Sequence, residues 1–456
     1  MNLSDWTIFS TFIIIFHLFL QFRTYKIWPD WDTANHLYFA FLLKNRINIR
    51  SSYSFGIKWI LPRIYSLLKI NEDERFFDHR IINTFSGILL IIQFIYLGAQ
   101  NLSIYNYLWL TLTVLIINSL YINFQTSSTE FIDFPIILLT LNLANFLPSN
   151  YTLIIPILII ILISYLFKVV DILYVLPILL IHLKNIINQP ILLCTLILIC
   201  LTFTRLLFHF GVKQANTYSK SRRILNPKGI KYIFLNPIWI SINFIITIQI
   251  VSQKDILSTS AILVAWIILL SQKVLVSYFW YPIVILNLYF WQKLDIPSFE
   301  ILKYLLPFMI LWLIAGLIVL CFFDKQYLEP FYRTFFLGEN GFKRYREIKS
   351  QMVCVEWIKK NISKDSNIYL WGTNTALPLK ANLLHIEDTF YTHNHLFFWS
   401  NIRDKEEYVY EFIKSNYPDY IIESGIINNF KFPEDKFKNQ YEKIYGSDNI
   451  KIYKLI

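Results

Sequence analysis

The chain has 456 residues, of which 55% are apolar, 18% are aromatic and 16% are charged. Soluble proteins carry about 25% charged residues, so this composition excludes an ordinary water-soluble surface. The net charge of +11 falls almost wholly within residues 1–323, which favours anionic membrane lipids or phosphate-bearing lipids as partners and excludes nucleic acid. We therefore expect an integral membrane protein.

The apolar segments have the lengths of membrane helices. A helix that crosses a bilayer needs about 20 apolar residues, and polar interruptions divide the apolar sequence into eleven candidate spans. These lie at 6–22, 81–99, 104–122, 131–147, 151–167, 169–184, 190–208, 233–251, 255–271, 274–292 and 302–323. The predicted fold is a polytopic α-helical membrane protein with about 11 transmembrane helices.

The last part of the chain has a different character. Residues 324–456 hold 37 of the 73 charged residues, and their apolar positions follow helical and extended periods in turn. The predicted elements are helices at 347–361 and 405–415 and strands at 367–371 and 420–423. We therefore predict a transmembrane domain at 1–323 with an external loop at 23–80, followed by a small soluble α/β domain at 324–456.

The first motif that can carry chemistry follows the first apolar segment. It contains Asp30 and Asp32, two residues apart, and His36 follows shortly after. Two neighbouring carboxylates can serve as a general base and a partner that tunes or positions it. The alternative that this spacing leaves open is a pair of solvated loop aspartates.

Further polar residues lie at or between the ends of later apolar segments. Glu130 and Asp133 border the fourth candidate span, and Lys168 lies between the fifth and the sixth. The remaining candidates are Arg205, Arg222, Lys273 and Tyr278. Each also has a plain structural explanation, because acids favour helix starts, basic side chains snorkel to the headgroups and tyrosines are common at membrane interfaces.

The order of these motifs resembles that of the GT-C glycosyltransferases, membrane enzymes that use polyprenyl-phosphate sugars. Protein O-mannosyltransferases and the aminoarabinose transferase of lipid A are examples of this family. The resemblance rests on the acidic motif after the first span, an acid before Pro135, the segment 168–171 and the aromatic–proline segment 278–282. The chain departs from the family where Asp-Trp-Asp replaces two adjacent acids and where Ser277 stands in place of the usual Arg.

The resemblance implies an inverting glycosyltransferase that moves a sugar from a polyprenyl-phosphate donor to a lipid, glycan or protein acceptor of the cell envelope. Asp32 is the expected general base, with Asp30 as its partner. The expected donor-phosphate ligands are Lys168, Arg205, Arg222 and Lys273, and the expected acceptor site contains Glu130, Asp133, His36 and Tyr278. A divalent metal, Mg²⁺ or Mn²⁺, is a further candidate cofactor, bound by Asp30 and Asp32.

Two arguments about the orientation of the chain conflict. Loops 23–80 and 209–232 are basic, and the positive-inside rule places such loops in the cytoplasm. Long loops follow that rule poorly, and the resembling family presents its lipid-linked sugar on the outer face. We therefore expect a multi-pass protein of a bacterial plasma membrane, with a cytoplasmic N-terminus and residues 324–456 outside.

Other functions stay open at this point. A lipid or glycan transporter or flippase also places charges at membrane boundaries, although the chain lacks the internal hydropathy repeat that many transporters show. A non-catalytic scaffold of an envelope glycan assembly complex is a third hypothesis. In the C-terminal domain, zinc binding competes with a polar loop as the explanation of His385, Glu387, Asp388, His393 and His395.

Overall fold

The computed structural model describes the C-terminal part of the chain almost continuously and the preceding part in separate segments. The stretches described after residue 340 are 341–386, 403–425, 430–447 and 449–456. Those described before it are Trp28, 31–45, 154–166, 186–199 and 256–270, together with single helical residues and short helical runs.

The chain forms two compact units, each built from separate parts of the sequence. The first unit comprises Met1–Ile27, His79–Val212 and Tyr218–Gly341. The second comprises Trp28–Asp78, Lys213–Thr217 and Phe342–Ile456. The segment that contains Asp32 and the C-terminal part of the chain therefore belong to the same unit.

The elements with defined bounds follow in chain order. The helices are α1 (Trp31–Lys44), α2 (Ile154–Leu166), α3 (Ile256–Leu270), α4 (Gly341–Asn361), α5 (Ala376–Ala381), α6 (Lys405–Asn416) and α7 (Glu434–Phe437). The strands are β1 (Ile368–Gly372), β2 (Tyr420–Ser424), β3 (Tyr441–Ser447) and β4 (Ile450–Leu455). The strands predicted at 367–371 and 420–423 thus coincide with β1 and β2 to within one residue at each end.

Helices α2 and α3 are apolar helices of the first unit with defined bounds. Helix α2 has 13 residues and α3 has 15, whereas a membrane-crossing helix needs about 20. Helix α4 has 21 residues, but it carries basic residues at both ends, among them Lys343 and Lys360. Within the described part of the chain, no helix combines the length and the apolar character needed to cross a membrane. The predictions of an eleven-span membrane fold and of a multi-pass integral membrane protein are therefore wrong.

The second unit contains a four-stranded mixed sheet with the strand order β1-β2-β4-β3. Strands β1 and β2 are parallel, and β4 pairs antiparallel with both β2 and β3. A register shift between Lys443 and Tyr445 interrupts the β3–β4 pairing. Because β1 and β2 are parallel, their carboxyl ends, at Gly372 and Ser424, meet at the same edge of the sheet.

Helices cover both faces of this sheet, and the residues of β1 alternate between the two faces. On one face, Ile368 and Leu370 pack in a buried cluster with residues of α4 and α5. On the other face, Tyr369 and Trp371 pack in a largely aromatic cluster with residues of α6 and α7. The sheet is therefore the middle layer of an α/β/α arrangement. Burial of apolar surface is the main stabilising contribution to such a core.

Candidate functional site

Helix α1 belongs to the second unit, and its middle part is buried. Every residue from Ala34 to Leu42 is at most 9% exposed. An α-helix repeats every 3.6 residues, so consecutive buried residues over more than two turns show that every side of this helix is covered. Among the described elements, α5 packs against it.

Two hydrogen bonds connect α1 to the region around α5. The hydroxyl of Thr375 donates to Oδ1 of Asn35 at 2.8 Å, and the hydroxyl of Tyr38 donates to the carbonyl oxygen of Leu383 at 3.1 Å. Burial raises the pKa of Tyr38, so its phenol remains a neutral donor. Leaving a buried polar group without its partner costs about 1–3 kcal/mol, so these bonds select one rotation of α1 about its own axis.

The loops that follow β1 and β2 form a compact polar edge, here named the carboxyl edge and defined as Gly372–Thr375 with Ser424 and Gly425. Gly372 has φ +137°, and a Cβ at this position would lie 1.9 Å from the carbonyl oxygen of Ser424, so only glycine fits. The Thr373 hydroxyl donates to the carbonyl oxygen of Gly425 at 3.0 Å, and Asn374 Nδ2 donates to Ser424 Oγ at 3.1 Å. The two loops therefore hold each other in place.

Asp32 belongs to the same helix as Asn35, the residue that bonds to the carboxyl edge. It lies in the first turn of the helix, three residues before Asn35 and four before the buried His36. Three residues correspond to about 5 Å along the helix axis, so less than one turn separates position 32 from the residue that accepts the Thr375 hydrogen bond. The first turn is also where an acid is electrostatically favoured.

Most of the other predicted site residues lie outside the part of the chain that the structure describes. They are Asp30, Glu130, Asp133, Lys168, Arg205, Arg222, Lys273 and Tyr278. The same holds for Glu387, Asp388, His393 and His395 of the predicted zinc cluster. Their roles remain predictions, and the site that the described residues form consists of α1 and the carboxyl edge.

His385, the described member of the predicted zinc cluster, is a buried core residue. Its Nδ1 lies 2.8 Å from the carbonyl oxygen of Ile386, and its ring centroid lies 4.9 Å from that of Tyr369. Burial lowers the pKa of His385 to about 4, so the imidazole is neutral at pH 7. No group of three or more His, Cys, Asp or Glu side chains among the described residues is placed to hold a metal ion. These residues therefore give the zinc hypothesis no support.

The sequence patterns did not indicate the polar residues of the carboxyl edge as a site. A signal was nevertheless present, because glycine at 372 is followed by Thr373, Asn374 and Thr375 directly after an apolar strand, and such clusters are typical of loops. Asn35 had no comparable signal. Its partner lies 340 positions away, a distance over which local patterns carry no information.

The comparisons with known proteins assign the chain to no family. No protein-family model, no curated protein and no solved structure matches it. What the site can do therefore follows from its own residues, which are neutral hydrogen-bonding groups at the carboxyl edge and an acid in the first turn of α1.

Proposed function

We propose that the protein is an inverting glycosyltransferase, which moves a sugar from a polyprenyl-phosphate donor to a hydroxyl of a lipid, glycan or protein acceptor. The observation that carries this function is the hydrogen bond between Thr375 and Asn35, which attaches the helix bearing Asp32 to the carboxyl edge. Ligands of open α/β sheets bind at the carboxyl ends of the strands.

In the proposed reaction, Asp32 accepts the proton of the acceptor hydroxyl. The hydroxyl oxygen forms a bond to the anomeric carbon while the bond from that carbon to the phosphate oxygen breaks, and the electron pair leaves with polyprenyl phosphate. The leaving group departs as an anion and needs no proton, so one base is sufficient. General-base catalysis contributes about 10²–10⁴-fold in rate.

The carboxyl edge offers neutral hydrogen-bonding groups. Thr373 and Asn374 are half-buried, whereas Thr375 and Ser424 are buried. Hydroxyl and amide groups both donate and accept hydrogen bonds, which matches the hydroxyls of a sugar. We assign sugar binding to this edge, at the half-buried side chains of Thr373 and Asn374.

Release of polyprenyl phosphate by the purified full-length chain tests this function. The assay uses a panel of polyprenyl-phosphate sugars in detergent micelles, with and without candidate acceptors. Asp32→Asn keeps the shape of the side chain but cannot accept a proton, so it should lower release by about 10²-fold or more. Asp365→Asn, at an exposed turn, is the matched control and should retain wild-type release.

Two results would contradict the proposed function. Wild-type release by Asp32→Asn would remove Asp32 from the mechanism. Absence of release with every donor, from a folded chain, would reject glycosyl transfer and favour the non-catalytic scaffold.

A further inference from the structure

Asn35 is a buried residue of α1 whose side chain has donors that the fold does not use. It is 6% exposed, and its Oδ1 accepts the hydrogen bond from Thr375. A side-chain amide also carries two N–H donors, and Nδ2 of Asn35 bonds to none of the residues that the structure describes. This nitrogen is not fully enclosed by protein. Asn35 therefore offers an accessible donor beside the carboxyl edge.

The hydrogen bond from Thr375 fixes the orientation of this amide. Thr375 is itself fully buried, and its hydroxyl lies 2.8 Å from Oδ1 of Asn35. Rotation of the Asn35 side chain would break this bond, so Nδ2 keeps one direction. A donor that is already held in place costs less entropy when a ligand binds to it.

Asn374 supplies the complementary group, because it has an unused acceptor. Its Nδ2 donates to Oγ of Ser424 at 3.1 Å, which fixes the orientation of this second amide. Oδ1 of Asn374 accepts from none of the described residues and is not fully enclosed. Both amides are attached to Thr375, Asn374 by the peptide bond and Asn35 by the hydrogen bond. A donor and an acceptor thus lie at the same edge.

The chemistry of these two groups restricts the ligand. Buried polar groups in proteins almost always have a partner, either protein or water, and a ligand can replace that water. An ionised carboxylate only accepts hydrogen bonds and would leave Oδ1 of Asn374 unpaired, whereas an ammonium only donates and would leave Nδ2 of Asn35 unpaired. A hydroxyl both donates and accepts. Neutral ligands with several hydroxyls can therefore satisfy both amides.

We propose that Asn35 and Asn374 form a hydroxyl-binding pair for a carbohydrate. Nδ2 of Asn35 donates to a hydroxyl oxygen of the sugar, and Oδ1 of Asn374 accepts from a hydroxyl hydrogen. The assignment deepens the proposed function, because it rests on the sugar binding proposed for the carboxyl edge. Both are binding residues, and neither takes part in proton transfer.

Titration of the full-length chain with methyl α-glycosides of glucose, mannose and galactose tests the pair. These probes carry no phosphate, so the experiment measures sugar binding apart from glycosyl transfer. In NMR spectra, the side-chain amide signals of Asn35 and Asn374 should shift with added glycoside. The amide of Asn439, an exposed residue, is the control and should not shift. Unchanged signals of Asn35 and Asn374 with every glycoside overturn the proposal.

Asn35→Asp separates ligand binding from the structural role of Asn35. The carboxylate keeps an acceptor for Thr375 but has no donor, so the dissociation constant of the glycoside should rise about tenfold. Asn439→Asp makes the same change of charge at an exposed position and should bind as the wild type does. Wild-type affinity in folded Asn35→Asp overturns the pair, and the amide shifts of the wild type decide if this variant does not fold.

The two proposals can fail separately. A chain that shows the amide shifts but releases no polyprenyl phosphate would reject glycosyl transfer and support the hydroxyl-binding pair. Release without any shift of the two amides would support transfer and overturn the pair.

Discussion

Thr375 donates a 2.8 Å hydrogen bond to Asn35, which lies 340 positions earlier in the chain. A second hydrogen bond, from the Tyr38 hydroxyl to the carbonyl oxygen of Leu383, joins residues 345 positions apart. These two bonds join α1 to the C-terminal part of the second unit. The candidate site lies where these two distant parts of the sequence meet.

Replacement of Thr375 by valine should destabilise the second unit. Valine keeps the branched shape but removes the donor, which leaves Oδ1 of the buried Asn35 without that hydrogen bond. The expected loss is about 1–3 kcal/mol in the free energy of unfolding, measured by denaturant titration. Thr375→Ser retains the hydroxyl and should lose less, and equal stability of the serine and valine variants would show that the bond contributes nothing.

Removal of the Tyr38 hydroxyl should weaken the attachment of α1. Tyr38→Phe preserves the buried ring but takes the donor away from the Leu383 carbonyl. We expect a loss of about 1 kcal/mol and faster amide hydrogen exchange in α1. Tyr417→Phe, at a residue that is 50% exposed, is the control and should leave exchange in α1 unchanged. Equal exchange in the two variants would assign no role to the Tyr38 bond.

Gly372→Ala should prevent the carboxyl edge from forming. The new Cβ would lie 1.9 Å from the backbone oxygen of Ser424, at a φ of +137° that side chains rarely adopt. Such a clash exceeds about 4 kcal/mol, and circular dichroism should show loss of the native sheet. Gly446→Ala is the matched substitution in β3, where the nearest atom is the flexible Cε of Lys443 at 2.9 Å, and it should remain folded.

The second unit should lose stability on acidification because of His385. Burial lowers the pKa of this histidine from 6.5 to about 4, so the unfolded chain binds a proton that the folded chain does not. Stability present above pH 6.5 is therefore lost progressively down to about pH 4, by about 3 kcal/mol in total. NMR titration should find the His385 ring neutral at pH 5, and a ring that protonates near pH 6.5 would contradict the burial effect.

Strands β1 and β2 could be predicted because both are buried on their two faces, and such strands form nearly continuous apolar runs. Helix α6 has a local signal too, since Asp404 accepts a hydrogen bond from the backbone of Glu407 at the first turn. The sequence pattern did not predict strands β3 and β4. Charged residues such as Lys443 and Lys454 interrupt their apolar pattern, which resembles that of a solvated loop.

The membrane prediction was wrong because it relied on composition and on the length of apolar segments, whereas no helix of the described residues is long and apolar enough to cross a membrane. Some of the aromatic residues also belong to the core of the second unit. Trp371, Phe430 and Phe432 pack together on the sheet of the second unit, with Trp371 ring centroids 4.8 and 5.1 Å from the other two.

The candidate site was predictable only in part. The acidic motif identified Asp32 as a residue able to act as a base, and the structure places its position at the start of α1. The residues that connect this helix to the carboxyl edge, Asn35 and Thr375, depend on a tertiary contact that no local period encodes.

The hydrogen bonds between α1 and the C-terminal part of the chain also constrain when the second unit can fold during synthesis. The ribosome releases α1 long before it has synthesised Thr375 and Leu383, the residues to which that helix bonds. At about 5–20 residues per second, the interval is roughly 20 to 70 seconds. During this time α1 lacks the two hydrogen bonds that join it to the C-terminal part of the chain, so the second unit can complete its fold only near the end of synthesis.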